Sequence, residues 1–114
     1  MATTTYKTLG QLAAASAVAA TESIYTVGTA TGTQAVVSTI TVCNRGTAST
    51  TYRLAVRPNG TAVATNHYIA YDATIPANDT IALTLGITMD ANDILGAYAG
   101  NANLTFNAFG CEIV

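Results

Sequence analysis

Hydrophobic and polar residues alternate in short segments along most of this chain. The clearest example is TYRLAVRP at 51–58, where Tyr52, Leu54 and Val56 occupy alternate positions with arginine and alanine between them. A period of two places successive side chains on opposite faces of a strand, so one face of this segment is predicted to lie on a core. The other face is predicted to meet solvent or a partner.

Turns rich in Asn, Asp, Gly and Pro divide the remaining chain into further segments of the same kind. The predicted strands are 23–29, 34–44, 51–58, 62–65, 67–72, 80–87, 94–99 and 104–113. Within 34–44 we expect Val36, Ile40 and Val42 on one face and Val37 and Cys43 on the other. Within 80–87 we expect Ile81, Leu83, Leu85 and Ile87 to face inward.

The first 22 residues differ from the rest of the chain. They contain an alanine run at 13–20, preceded by a segment around Tyr6–Gly10 that could form a short strand. The pattern predicts two parts: an N-terminal arm at 1–22 and a β-sandwich domain at 23–114. The domain is all-β, a single sandwich of the jelly-roll or Greek-key type with about seven to nine strands. We expect it to fold without the arm.

The composition favours a protein that assembles with others and gives no reason to expect nucleic acid or a membrane as a partner. Only 9% of the 114 residues are charged, whereas alanine (22) and threonine (21) fill more than a third of the chain. A threonine-rich surface with few charges repels its neighbours weakly and favours assembly. Four cations and a net charge of −2 give no reason to expect nucleic acid as a partner. No segment approaches the roughly 18 apolar residues that a membrane span needs.

No catalytic or metal-binding constellation is visible in the sequence. His67 is the only histidine, and the motif of a hydrolase nucleophile is missing. Asp90, Asn92 and Asp93 are expected to cap a turn, since they lack the ligand spacing of a calcium loop. Cys43 and Cys111 are expected to be free thiols, with a disulfide as the alternative. We therefore expect a protein that is not an enzyme and has no cofactor or metal.

Two groups of residues are candidates for binding a partner. Arg53 and Arg57 share one face of a strand, about 13 Å apart, and arginine binds carboxylates in a bidentate manner. The arm is the second candidate, with Tyr6, Lys7 and Leu9 as its contacts. Tyr68 and Tyr71 are predicted to lie on opposite faces of their strand, which leaves at least one exposed and keeps a glycan-binding module as an alternative.

Three segments resemble a family of small virion proteins of tailed bacteriophages, especially cyanophages. They are VSTITVCNRGTASTTYRLAVRP (37–58), HYIAYDATIPANDTIALTLGITM (67–89) and YAGNANLTFNAFG (98–110). The resemblance covers about residues 23–110. It implies a structural role in the virion, either as a capsid cement (decoration) protein or as a small head or tail component.

The resemblance implies a cement protein that bridges capsomers on the outside of the phage head, and the composition favours assembly. Its expected partners are the major capsid protein and further copies of itself, with a homotrimer favoured, and neither nucleic acid nor a membrane. Its expected location is the virion, after assembly in the host cytoplasm. The alternatives are a tail, neck or fibre component and a glycan-binding module on the virion surface.

Overall fold

The computed structural model describes residues 3–13 and 22–114, which form two antiparallel four-stranded sheets packed face to face. The first sheet has the order β1-β8-β3-β6, and the second has the order β2-β7-β4-β5. The strands are β1 (Thr4–Ala13), β2 (Glu22–Thr26), β3 (Gln34–Asn44), β4 (Thr50–Arg57), β5 (Tyr68–Ile75), β6 (Thr80–Asp90), β7 (Ile94–Ala99) and β8 (Leu104–Ile113).

The strand order identifies the sandwich as a jelly roll. Consecutive strands lie in opposite sheets throughout, except for β4 and β5, which are neighbours in the second sheet. Eight strands arranged in this way form the double-sheet jelly roll, one of the two types predicted from the sequence. The all-β sandwich is confirmed. Among the described residues, no helix is long and apolar enough to cross a membrane.

The core lies between the inner faces of the two sheets. Its largest fully buried side chains are Phe106, Ile40, Leu54, Ile75 and Leu95. They come from both sheets, so the alternating positions of the strands supply the apolar surface that holds the sandwich together. The sequence predicts the bounds of β3, β7 and β8 correctly, because alternation there is bounded by clear turns.

A β-bulge that involves β3 and β6 interrupts the first sheet and changes which side chains face inward. Ser38 is an extra residue of β3 relative to β8, and two residues of β6, Leu85 and Gly86, lie opposite it. Gly86 has φ +65°, a backbone conformation that other residues rarely adopt. A bulge of this kind shifts the alternation by one residue.

Two sequence predictions are wrong at this bulge. Leu85 was expected to face inward, but it is 47% exposed because it lies in the bulge. Val36 and Val37 exchange their predicted faces: Val37 is fully buried together with Ile40 and Val42, whereas Val36 points outward with Cys43. The extra residue at Ser38 causes this exchange, since a strict period of two does not continue across it.

The predicted N-terminal arm is corrected for the residues that the structure describes. Residues 4–13 form β1, which pairs with β8 along its length and buries Leu9 in the core. They are an edge strand of the sandwich, so we no longer expect the domain to fold normally without them. The alanine run from residue 14 onward lies outside the described residues. The predicted strand 62–65 is also wrong, because 61–64 are irregular and Thr65–His67 form a single 3-10 turn.

Polar contacts hold β1 to the rest of the sandwich. Lys7 Nζ lies 3.3 Å from Glu112 Oε1 on β8, and the Tyr25 hydroxyl on β2 donates a hydrogen bond to the other oxygen of Glu112. The hydrogen bond from Tyr25 lowers the pKa of Glu112, while burial and the same carboxylate raise the pKa of Tyr25. Glu112 therefore stays ionised and joins three strands at the same edge.

Candidate functional site

The outer face of the first sheet is a broad array of side chains in which threonine is the commonest residue. The strand register places them in five rows that each cross β1, β8, β3 and β6. The rows are Thr4-Ile113-Gln34-Asp90, Tyr6-Cys111-Val36-Thr88, Thr8-Phe109-Thr39-Thr84, Gln11-Asn107-Thr41-Ala82 and Ala13-Thr105-Cys43-Thr80. We call this surface the threonine face.

Charge is nearly missing from the threonine face. Asp90, at the end of β6, is the one charged residue in its five rows. The other charged residues of these strands, Lys7 and Glu112, contact one another at the sandwich edge. One cation lies at the end of the face, where Arg45 donates a hydrogen bond to Thr105 of the last row. Because few ions on this face would lose their hydration when it is covered, a partner can bury it without a large electrostatic cost.

Three large apolar side chains project from this side of the molecule. Tyr6 is 84% exposed, Leu85 is 47% exposed and Phe109 is 36% exposed. Phe109 occupies the middle row between Thr8 and Thr39, and Leu85 lies in the bulge beside the same row. Exposed aromatic groups at the centre of a neutral surface are typical anchors of protein interfaces.

The structure separates the three contacts that the sequence places in the arm. Tyr6 lies on the threonine face, so it is available to a partner. Lys7 contacts Glu112 of its own chain. Leu9 is 8% exposed and packs in the core, so the prediction that it contacts a partner is wrong. The sequence could not separate them because Leu9 is an extra residue in β1 between Thr8 and Gly10, where the register shifts.

Arg53 and Arg57 share the outer face of the second sheet, as their spacing predicts. Arg53 is opposite Tyr98 of β7, and Arg57 is opposite Ile94. Arg53 already has a carboxylate from its own chain, because its Nε and Nη2 donate to the two oxygens of Asp72 at 2.6 and 3.2 Å. Arg57 Nη1 donates to the Thr61 carbonyl. Binding of Arg53 to a partner carboxylate would have to displace Asp72.

Tyrosine rings surround the Arg53 guanidinium. Its central carbon lies 4.1 Å from the centroid of the Tyr71 ring and 4.6 Å from that of Tyr98. The Tyr68 ring meets the Tyr71 ring edge to face, with centroids 4.9 Å apart. We call Tyr68, Tyr71, Tyr98, Arg53 and Asp72 the tyrosine cluster. Asp72 raises the pKa of Arg53 through its hydrogen bonds, so the cation within the cluster is permanent.

The prediction that Tyr68 and Tyr71 lie on opposite faces is wrong, since their rings are in contact. Two residues of β5, Tyr71 and Asp72, lie opposite the single residue Arg53 of β4, and Asp72 has φ +50°. A second register shift lies between Tyr68 and Ala70, where Ile69 is an extra residue of β5. Because Ala70 packs against the core, Tyr71 faces outward by ordinary alternation, and the extra residue at Ile69 places Tyr68 on the same outer face. A pocket of about 350 Å³ lies next to the two rings, and its other wall is formed by Val63, Ala64 and Thr65.

The remaining candidate groups have structural roles. Asp93 caps its turn, since its carboxylate accepts the backbone N–H groups of Asn59 and Asp90 at 2.8 and 2.9 Å. His67 Nδ1 accepts the N–H of Ala64 at 3.1 Å, which holds the 64–67 turn. Within residues 3–13 and 22–114, no group of three or more His, Cys, Asp or Glu residues could hold a metal ion.

Both cysteines are free and partly exposed, and both lie on the threonine face. Cys43 is in register with Thr105 of β8, and Cys111 is six residues further along that strand. The two thiols are therefore about 20 Å apart, far beyond the reach of a disulfide within one chain. The expectation of free thiols is confirmed.

No protein-family model matches the sequence, and no curated protein matches it. The structure of infectious bursal disease virus Gx strain contains a similar chain, with a TM-score of 0.52 and 13% identity over 99% of this chain and 31% of that chain. The acidic stable capsid structure of Helicobacter pylori bacteriophage KHP30 contains another, with a TM-score of 0.51 and 12% identity over 100% of this chain and 94% of that chain. At such identities the likeness shows a shared fold.

Proposed function

We propose that this protein is a structural, non-enzymatic component of a tailed-phage virion and that it acts as a capsid cement protein. The threonine face is the surface that docks on the shell of major capsid proteins. The second sheet then faces away from the shell. The protein strengthens the head because each bound copy adds an interface that must break before neighbouring capsomers can separate.

The observation that carries this proposal is the near-neutral threonine face. Four strands spaced about 4.8 Å apart and about ten residues long present roughly 600 Å² on one side of a sheet. A stable interface uses about 800 Å² from each partner, so the face supplies most of what docking needs. The remainder comes from the sandwich edges or from contacts between copies, which fits the homotrimer that we favour.

Two comparisons support a place in a capsid. The bursal disease virus chain and the phage KHP30 chain both come from virus particles, and both share this fold. The KHP30 chain is also nearly the same length as this one, since the similarity covers almost all of both chains. A jelly roll of this size can therefore belong to a phage capsid without a larger protein around it.

A tail, neck or fibre component is the second candidate. It would use the same fold and the same face, and it would share the virion location. The two functions differ in copy number, because a shell offers equivalent sites all over its surface whereas a neck or tail offers a single ring.

We expect purified protein to bind heads that lack it at on the order of hundreds of copies per head, because quasi-equivalent capsomers repeat the site. The measurement is co-sedimentation with heads of the phage that encodes the protein, followed by quantification of the bound protein. Bovine serum albumin in the same gradients measures trapping. Saturation at about a dozen copies indicates the neck or tail, and no binding to any part of the virion contradicts a virion role.

A further inference from the structure

The tyrosine cluster is more ordered than a chance group of exposed aromatic residues. The Arg53 guanidinium lies between the rings of Tyr71 and Tyr98, and Asp72 fixes its orientation with two hydrogen bonds. Tyr68 supports Tyr71 edge to face. Tyr71 is nevertheless 58% exposed. A rigid ring held at the surface costs little entropy when it meets a ligand, so the cluster is preorganised for binding.

The pocket beside the cluster has the size and lining of a small-molecule site. Its volume of about 350 Å³ lies within the usual range for ligand pockets of roughly 300–1,000 Å³. Two aromatic rings form one wall, and Val63, Ala64 and Thr65 form the other. The second wall is held in place by the hydrogen bond from the Ala64 N–H to His67.

The charges around the pocket favour a neutral ligand. Arg53 and Asp72 neutralise one another beside the pocket, so neither an anion nor a cation finds an unpaired opposite charge there. Tyrosine faces attract weakly positive C–H groups, and tyrosine and threonine hydroxyls exchange hydrogen bonds with alcohols. A neutral sugar ring combines the C–H face and the hydroxyls that this surface matches.

We infer that the pocket between the Tyr68 and Tyr71 rings and the 63–65 segment binds a neutral hexopyranose unit of a glycan. This site lies on the sheet opposite the threonine face, so it goes beyond docking on the capsid. A protein bound to the shell by the first sheet would present the sugar site outward. The decorated head would then carry many copies of a weak glycan receptor, and multivalency would raise its avidity.

A direct binding measurement tests this inference. We expect at least one of D-glucose, D-galactose and D-mannose to bind the purified chain with a Kd of about 1 mM, as befits a ligand of so few atoms. Ligand-observed NMR titrations detect this affinity, and a glycan array extends the panel to oligosaccharides. Tyr71→Ala should weaken binding at least tenfold, whereas Tyr71→Phe, which keeps the ring, should retain most of it.

Tyr6→Ala is the matched control, because it removes an exposed tyrosine from the other sheet and should leave sugar binding unchanged. Binding to heads separates this inference from the proposed function, since Tyr71→Ala should bind heads like the wild type. The inference is overturned if no neutral sugar on the array or in the titrations binds, if only acidic sugars bind, or if Tyr71→Ala binds sugar with unchanged affinity.

Discussion

Thr84→Glu is expected to weaken binding to phage heads at least 100-fold. Thr84 is an exposed residue of β6 in the middle row of the threonine face, level with Phe109. Docking would trap the new carboxylate in the middle of the face, two rows away from the Arg45 guanidinium that hydrogen-bonds Thr105 in the last row. An unpaired charge buried in this way costs about 3 kcal/mol or more, which corresponds to a factor of more than 100 in Kd.

Thr74→Glu is the matched control for this variant. Thr74 is also an exposed strand threonine, and β5 is the edge strand of the second sheet just as β6 is the edge strand of the first. Both variants should fold normally, since each adds a charge at a solvated position. The measurement is the co-sedimentation titration with heads. The docking assignment fails if Thr84→Glu binds like the wild type, or if Thr74→Glu is the variant that loses binding.

Asn44→Ala is expected to destabilise the fold by about 3 kcal/mol and to lower Tm by roughly 12 °C. Asn44 is 1% exposed at the end of β3. Its amide donates to the carbonyls of Ala48, Ile75 and Pro76, and its oxygen accepts the N–H of Gly46. Alanine leaves these backbone groups without partners in a buried place, and that loss exceeds the value of an ordinary hydrogen bond.

Thermal unfolding followed by circular dichroism measures this effect, with Asn107→Ala as the control. Asn107 makes a side-chain hydrogen bond to Gln11 on the solvated outer face, so its loss should cost less than about 0.5 kcal/mol. Equal Tm values for the two variants would show that the Asn44 hydrogen bonds do not hold the loops at that end of the sandwich. The burial of Asn44 could not be predicted from the sequence, because an asparagine at a strand end is normally exposed.

The strands whose bounds the sequence predicts correctly, β3, β7 and β8, are those that clear turns delimit, although alternation within β3 is interrupted at Ser38. Alternation continues without interruption in β7 and β8, and Asn and Gly residues mark the boundary between these two strands. The sandwich follows from the same pattern, because each strand buries alternate residues and needs a second sheet to cover them. The choice of a jelly roll does not follow from it, since strand order depends on contacts between distant segments.

The wrong predictions of which face a side chain occupies have a common physical cause. Extra residues shift the register, and a period of two cannot show them; they lie at Leu9, Ser38, Leu85, Ile69 and Tyr71–Asp72. Each shift turns a side chain to the face opposite to the predicted one. The same shifts expose Leu85 beside the threonine face and bring Tyr71 into contact with Tyr68. The irregular positions thus add Leu85 beside the threonine face and bring the rings of Tyr68 and Tyr71 together.

The candidate sites were only partly predictable. A threonine-rich composition predicts a surface suited to assembly, but strand pairing decides that the neutral positions gather on one sheet. The arginine pair was visible from its spacing in β4. The contacts of Arg53 could not be predicted, because Asp72 and Tyr98 belong to β5 and β7 and reach Arg53 only in the folded protein.

The central claim is that the threonine face is covered when the protein is in place on the virion. Two native thiols report on it directly, since Cys43 and Cys111 are partly exposed on that face. We predict that maleimide labels both thiols in the free protein and neither in assembled particles, whereas a cysteine placed by Thr74→Cys stays reactive in both. Undiminished labelling of Cys43 and Cys111 on the particle, with protection of position 74, would contradict the account.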